Sequence, residues 1–274
     1  MAEESPLELK LSHLLSRRLA NSTLRTLKLP TPEQIDFSSN DFLSLSSNKE
    51  LKDSYLQELK TVSLPLGSGG SRLLDGNSAY AETLERDIAT FHGAKAGLLF
   101  NSGFDANAGF FACVPQPGDV VVYDALIHAS VHDGMRLSRA ALTVLFDHNC
   151  LVDLRKRLTA LLDQEEFDLG KRLRQGNAHV FVAVEAVYSM DGDIAPLRGI
   201  VDVVEEVLPR GCGYVVVDEA HATGVLGPQG RGLVCALGLE TRVFARLHTF
   251  GKALGCNGGM YSHSNYSYFP TLIP

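Results

Sequence analysis

A chain of 274 residues, 45% hydrophobic and 21% charged, is long enough for one large domain or two small ones and too apolar to be mainly disordered. Its 25 Lys and Arg stand against 32 Asp and Glu, a net charge of −7 with no basic block, which argues against nucleic acid and anionic membrane as partners. The longest apolar runs, such as Val180–Val184 and Tyr214–Val217, are far too short to span a bilayer.

The first thirty residues carry a helical pattern, Leu11, Leu14, Leu15, Leu19 and Leu24, that ends before Pro30 and Pro32. A helix over Tyr80–Phe91 leads to the apolar strand Ala96–Phe100, the turn Asn101-Ser102-Gly103 and a small-residue helix from Phe104. Strand Val120–Tyr123 precedes a helix beginning near His128, and Leu142–Phe146 is a further strand. Leu151–Leu162 reads as an amphipathic helix, Val180–Glu185 as a strand and Leu197–Leu208 as a helix, before strands Tyr214–Val217 and Val243–Thr249. Short, fully apolar strands alternating with helices need both faces of their sheet covered. The fold class expected is α/β, with a mostly parallel, doubly wound sheet.

In such a sheet, ligands bind beyond the carboxyl ends of the strands. The residues at those ends are Ser102, Gly103 and Phe104, then Asp124 and His128, then Glu185, Ser189 and Asp191, then Asp218 and His221, and finally Thr249 and Lys252. Asp218 follows four apolar residues, so its carboxylate needs a cation or a strong donor, although a structural cap fits the spacing as well. Lys252 sits between Gly251 and Ala253, where small neighbours leave room for a planar ligand and a lowered pKa suits Schiff-base chemistry; an exposed surface lysine is the alternative. Gly67-Ser68-Gly69-Gly70-Ser71-Arg72 could present N–H groups and a charge to an anion, or be an ordinary loop. Gly103-Phe104 at a strand-to-helix turn could seat a phosphate or be a plain turn, and His128 and His221 could be caps or catalysts. The nine His do not pair with Cys or Glu at ligand spacing, so no metal site is expected, and five scattered Cys read as reduced thiols of an intracellular protein.

Several segments are specific when taken in order. They are Phe37-Ser38-Ser39-Asn40-Asp41-Phe42-Leu43, Val184-Glu185-Ala186-Val187-Tyr188-Ser189-Met190-Asp191-Gly192-Asp193, Asp218-Glu219-Ala220-His221-Ala222-Thr223-Gly224, Gly230-Arg231-Gly232 and Thr249-Phe250-Gly251-Lys252. On these the chain resembles the α-oxoamine synthases, pyridoxal-phosphate (PLP) enzymes of fold type I, with the Phe146-Asp147-His148-Asn149 run pointing to the biotin-precursor branch. The resemblance implies a PLP-dependent, decarboxylating condensation of an amino acid, L-alanine, with an acyl-CoA, pimeloyl-CoA, to an α-amino ketone. The siblings that make aminolevulinate, 2-amino-3-ketobutyrate or sphingoid bases use the same kind of site, since fold-level likeness does not choose a substrate.

Carried over by position, Lys252 would hold the cofactor and then serve as general base at the substrate Cα. Asp218 would pair with the pyridine nitrogen and keep the ring an electron sink. His128 would stack on the ring face, His221 and Ser189 would bond its phenolic oxygen or position its surroundings, and Gly103, Phe104 and Thr249 would hold the cofactor and its phosphate. Arg25 matches a substrate-carboxylate arginine loosely. The organisation implied is a helical segment over 1–36, a PLP-binding large domain over 37–258 and a homodimer, in the cytoplasm by default, with peroxisome or mitochondrion as alternatives. Residues 259–274 read as a non-family tail, tyrosine-rich and without strand alternation, in place of the small C-terminal domain. Gly259-Met260-Tyr261 is encodable around GTATGT, an intron donor, so the expectation is translated intron from a fungal gene and a chain of poor stability and impaired turnover, or a non-catalytic partner of a full-length synthase.

Overall fold

The computed structural model describes residues 5–29, 31, 33–65, 67–165 and 168–264, and the chain falls into two units, Met1–Ser38 and Ser39–Pro274. In the first, helix α1 spans Pro6–Ala20. Ser5 starts it with a capping box: its hydroxyl accepts from Glu8 N, while the Glu8 carboxylate accepts from Ser5 N at 2.6 Å. Pro6 suits the first turn, and Arg17 and Arg18 suit the negative end of the dipole. The helix stops short of Leu24 because Ser22 takes a left-handed backbone (φ 54°).

The second unit is built on seven strands: β1 Ala96–Phe100, β2 Val120–Asp124, β3 Leu142–Phe146, β4 Val180–Glu185, β5 Gly213–Asp218, β6 Ala245–Thr249 and β7 Gly259–His263. They hydrogen-bond in the order β1-β7-β6-β5-β4-β2-β3. All neighbouring pairs are parallel except those of β7, which runs antiparallel to both β1 and β6. Successive side chains leave opposite faces of a strand, so Val120 and Val122 belong to one core and Val121 to the other. The first core joins Val180, Val182, Val184, Val215 and Val217 to α6 (Leu151–Leu162), α7 (Leu169–Arg174) and α8 (Leu197–Val207). The second joins Phe181, Ala183, Val216 and Leu247 to α4 (Gly103–Cys113) and α5 (Ala129–Leu137) through Phe110, Phe111 and Val131. Each fully buried aliphatic or aromatic side chain contributes about 1.5–3 kcal/mol, so covering both faces is what stabilises the sheet.

The α/β, mostly parallel sheet expected from the sequence is the one formed. Helices α2 (Lys49–Thr61), α7 and α9 (Leu233–Leu237) were not foreseen; the last two have 6 and 5 residues, too few to display a helical period. No helix among the described residues is long and apolar enough to cross a membrane. None of the five cysteines is in a disulfide.

One expectation is overturned. The break placed at residue 259 falls at the start of β7, whose five residues are all buried between β1 and β6. The segment looked polar because Ser262 and His263 stand beside Tyr261, yet each finds buried company. Tyr261 donates to Asn107, Ser262 Oγ lies 3.0 Å from His248 Nε2, and the His263 ring packs edge-on against Phe244. Gly259 fits because a Cβ there would lie 2.7 Å from Gly103 N at the start of α4. Residues 265–274 of the expected tail lie outside the described residues.

A strand paired on both sides should resist solvent exchange. Hydrogen exchange followed by mass spectrometry is expected to show 260–262 as protected as Val215–Val217 of β5. Exchange at the rate of an exposed loop would place these residues outside the sheet.

Candidate active site

At the carboxyl ends of β2, β4, β5 and β6, and at the start of α4 after β1, the second unit encloses an open cavity of about 250 Å³. Larger hollows exist, but it is here that His128, Glu185, Asp218 and Lys252 come together from beyond the ends of four strands.

Asp218 ends β5 with its carboxylate almost wholly buried. Two donors satisfy it: Asn107 Nδ2 reaches Oδ2 at 2.7 Å, and the backbone N–H of Ala220 reaches Oδ1 at 2.8 Å. Such charge-assisted bonds make a buried carboxylate tolerable. Asn107 lies one turn into α4, and its Nδ2 also reaches Ser130 Oγ at 3.0 Å. The Ser130 hydroxyl lies 2.8 Å from His128 Nδ1, which also accepts from Ser130 N, so the ring proton sits on Nε2. His128 caps the start of α5 from the rim, with Phe104 edge-on to its ring. Burial holds the His128 pKa below its ordinary value and the Lys252 charge pushes the same way, against Asp218. Its imidazole is a neutral flat ring.

Lys252 follows β6. Its Nζ lies 2.8 Å from His221 Nε2. Burial lowers the lysine pKa, with Asp218 and Glu185 opposing. Burial and the lysine charge push His221 down to about 4, so at neutral pH its ring is neutral and Nε2 can accept a hydrogen bond from Lys252 Nζ. Glu185, at the end of β4, is buried with Oε1 lacking any hydrogen-bond partner. Burial and the neighbouring Asp218 raise its pKa to about 8, so the carboxyl is largely protonated at neutral pH. Gly103 at the first position of α4 abuts Thr249: a Cβ there would lie 3.1 Å from the threonine Cβ and Oγ1. That contact brings the N–H groups of the helix start to the cavity wall.

Of the residues singled out from the sequence, Gly103, Phe104, His128, Asp218, Thr249 and Lys252 line the cavity, and His221 touches it through Lys252. Ser189 does not. The chain after β4 closes a tight turn, Gly192 N to Tyr188 O and Tyr188 N to Asp193 O, which buries Tyr188 and leaves Ser189 exposed. Arg25 belongs to the first unit, in the stretch after α1, where it is exposed. The anion loop offered by Gly67–Arg72 loses its cation. Arg72 forms a two-pronged ion pair with Glu85, and its Nε donates to Asn77 at 2.9 Å.

Sequence reasoning missed Asn107, Ser130 and Tyr261. Asn107 stands four residues after Gly103, on the same helix face, which is the signal that could have found it. Tyr261 sat in the segment read as foreign. Glu185 stood at the sheet edge in the sequence but was given no role there.

The family model for aminotransferase class I and II matches residues 32–266. The 8-amino-7-oxononanoate synthase of Emericella nidulans is 54% identical over 252 residues, covering 91% of this chain and 60% of that protein. The aminoacyl transferase sphA of Aspergillus fumigatus is 45% identical over 231 residues, covering 84% and 48%. A serine palmitoyltransferase from S. paucimobilis, solved with a bound PLP–myriocin aldimine, superposes with a TM-score of 0.78 at 28% identity, covering 98% of this chain and 68% of that one. The chain thus spans about half to three fifths of the length of these two curated relatives.

The raised pKa of Glu185 has a stability consequence. Between its unfolded value of 4.5 and its folded value of about 8, the folded chain binds more protons than the unfolded one, so this group makes stability fall as pH rises across that window. The limit is about 1.4 kcal/mol per pH unit. In the ligand-free protein, Glu185→Gln is expected to gain melting temperature over wild type as pH goes from about 5 to 8. His221 has an opposite slope, between about 4 and 6.5, but it is common to both proteins and cancels in the difference. A difference independent of pH would mean that Glu185 is ionised in the folded state.

Proposed function

The chain belongs to the aminotransferase class I and II family, and from that premise we propose that it is a PLP-dependent acyltransferase. It condenses an amino acid with an acyl-CoA, releasing CoA and CO₂ and yielding an α-amino ketone. The substrates we favour are L-alanine and pimeloyl-CoA, supported by 54% identity to a protein named 8-amino-7-oxononanoate synthase. The observation that carries the reading is the meeting, in one cavity, of a lysine amine of lowered pKa with a buried aspartate held by two donors.

The residues present fit the cofactor. An aldehyde needs an amine, and Lys252 supplies one. A pyridinium nitrogen needs an anion, and Asp218 ends its strand at the cavity with its carboxylate already oriented. A flat ring needs a flat cover, and the neutral His128 stands at the rim. A phosphate needs N–H donors, and the start of α4, brought close by Gly103, offers them. The unpartnered Glu185 Oε1 is a further polar atom left for a ligand.

When bound, pyridoxal phosphate supplies an electron sink for negative charge developing at the amino-acid Cα. The protein's share is acid–base control and orientation. Asp218 would hold a proton on the pyridine nitrogen. The lowered pKa of Lys252 raises the fraction of free amine able to take the Cα proton, and His221, 2.8 Å away, accepts a hydrogen bond from the same Nζ and fixes its direction. Burial keeps His128 and Glu185 toward their neutral forms, so neither adds a competing charge beside Asp218 and Lys252. The active form proposed is a homodimer. A hollow of about 650 Å³ lined by Leu84, Ile88, Phe91, Phe100, Phe250 and Leu254 supports it as apolar surface that a second copy would cover.

A second reading within the same class has its own support. The chain is also 45% identical to a protein named aminoacyl transferase sphA and superposes on a serine palmitoyltransferase, which supports the same chemistry on a different amino acid and a longer acyl chain. Release of CoA that requires alanine together with pimeloyl-CoA supports the first reading. Release only with another amino acid or a long-chain acyl-CoA supports the second.

Borohydride reduction of the PLP-loaded protein should fix the cofactor on the peptide containing Lys252, and Lys252→Ala should abolish the adduct. Asp218→Ala should lower kcat/KM by about 10²–10³-fold or more, and Asp218→Glu by less. No adduct in the wild-type protein, or equal rates for the two Asp218 variants, would overturn the assignments.

A further inference from the structure

We infer that Tyr261 is a positioning residue for the cofactor-facing carboxylate: its hydroxyl holds the Asn107 amide so that the amide N–H is turned onto Asp218. The inference rests on the proposed PLP function and adds a residue that lies outside the cavity lining. The contacts form one chain. The Tyr261 hydroxyl donates to Asn107 Oδ1 at 2.7 Å, and Asn107 Nδ2 donates to Asp218 Oδ2 at 2.7 Å and to Ser130 Oγ at 3.0 Å. The relay therefore ties β7 to α4, and α4 to the end of β5.

The chemistry of an amide explains why the hydroxyl matters. A side-chain amide can occupy its plane in two orientations, exchanging its oxygen for its NH₂. In the observed one the oxygen takes the phenol proton and the NH₂ serves two acceptors. In the flipped one the amide oxygen would face the Asp218 carboxylate at about the 2.7 Å now spanned by a hydrogen bond, acceptor against acceptor, in a site with almost no solvent. Two constraints hold the amide, the carboxylate at one end and the phenol at the other. Without the phenol proton the amide oxygen is a buried acceptor without a donor, and the amide is free to rotate away from Asp218.

The phenol itself is well placed to be a donor. It is 1% exposed, and burial with the nearby Asp218 charge keeps it protonated far above neutral pH. Its ring stacks on Phe110 with centroids 4.5 Å apart and planes 19° apart, and Phe100 meets it edge-on at 6.4 Å. The flanking strands fix the backbone that carries it. Packing thus places the ring and the hydroxyl is left to orient Asn107, so Tyr261→Phe removes one function and keeps the other.

The test uses the full chain loaded with PLP. The cofactor dissociation constant and the pH midpoint of the visible Lys252–cofactor band are measured for wild type, Tyr261→Phe, Asn107→Ala and the double variant, with melting temperatures of the ligand-free proteins. Phe110→Leu serves as a packing control. Tyr261→Phe is expected to weaken cofactor binding by up to about tenfold and to move the pH midpoint, with its melting temperature close to wild type. Asn107→Ala should weaken binding at least as much, and adding Tyr261→Phe to it should cost nothing more. Phe110→Leu should lower the melting temperature without moving the pH midpoint. Unchanged binding and midpoint in Tyr261→Phe, losses that multiply in the double variant, or a loss that follows the melting temperature would each overturn the relay while leaving the proposed function standing. A wild-type protein that forms no band at Lys252 would sink both.

Discussion

The burial of the Asp218 carboxylate at the end of a central strand is the constraint on which the site depends. Leaving a carboxylate there without partners would cost several kcal/mol, so the fold must deliver donors to it. One is local, the N–H of Ala220 two residues on. The other, Asn107, comes from a helix more than a hundred residues earlier and must sit within hydrogen-bond reach of the strand end. That requirement fits the close approach of α4 to the sheet, where a Cβ on Gly103 would crowd Thr249 at 3.1 Å and one on Gly259 would clash with Gly103 N at 2.7 Å. The same approach puts the start of α4 at the cavity wall, where it can seat an anion.

Charge around the cavity is simplified by burial. Glu185 and His221 are both pushed toward their neutral forms, with pKa values of about 8 and about 4, and His128 is shifted the same way as His221. Lys252, whose pKa burial also lowers, then meets the two-donor carboxylate of Asp218 with little competing charge nearby. Pulling the pKa values of neighbouring groups apart is how one site holds an acid, a base and a fixed anion together.

The run Asp218–Gly224 shows function and support interleaved. Asp218 and His221 serve the cavity and its lysine. Between them Glu219 faces away, fully buried, and its Oε1 accepts the N–H of Val234 at 2.8 Å. Thr223 Oγ1 lies 3.0 Å from His248 Nδ1, in a neutral stack of His248 on His92 with centroids 3.7 Å apart. Gly224, at φ 84°, takes the left-handed turn that lets the segment fold back. A polar motif of this density is half a site and half the structure that holds it.

From the sequence by itself came the α/β class, the parallel sheet, the strand ends where polar groups gather, and the family, because strand alternation and motif order are local properties written in consecutive residues. Lys252, Asp218, His128 and Gly103 were legible in the same way. The tertiary structure alone decided what joins them. Asn107 and Ser130 are ordinary helix residues until α4 and α5 pack side by side, and Glu185 gains its proton only from burial beside Asp218. It also reversed two readings: Ser189 turns outward because Tyr188 takes the buried position, and residues 259–263 form a central strand although their composition looked foreign. A strand buried on both faces and paired on both edges can accept Tyr, Ser and His wherever neighbours satisfy their polar atoms, and those neighbours lie 14 to 154 residues away in the chain. Local pattern carries no record of partners that distant, and so the position of Tyr261 behind Asp218 was set by packing.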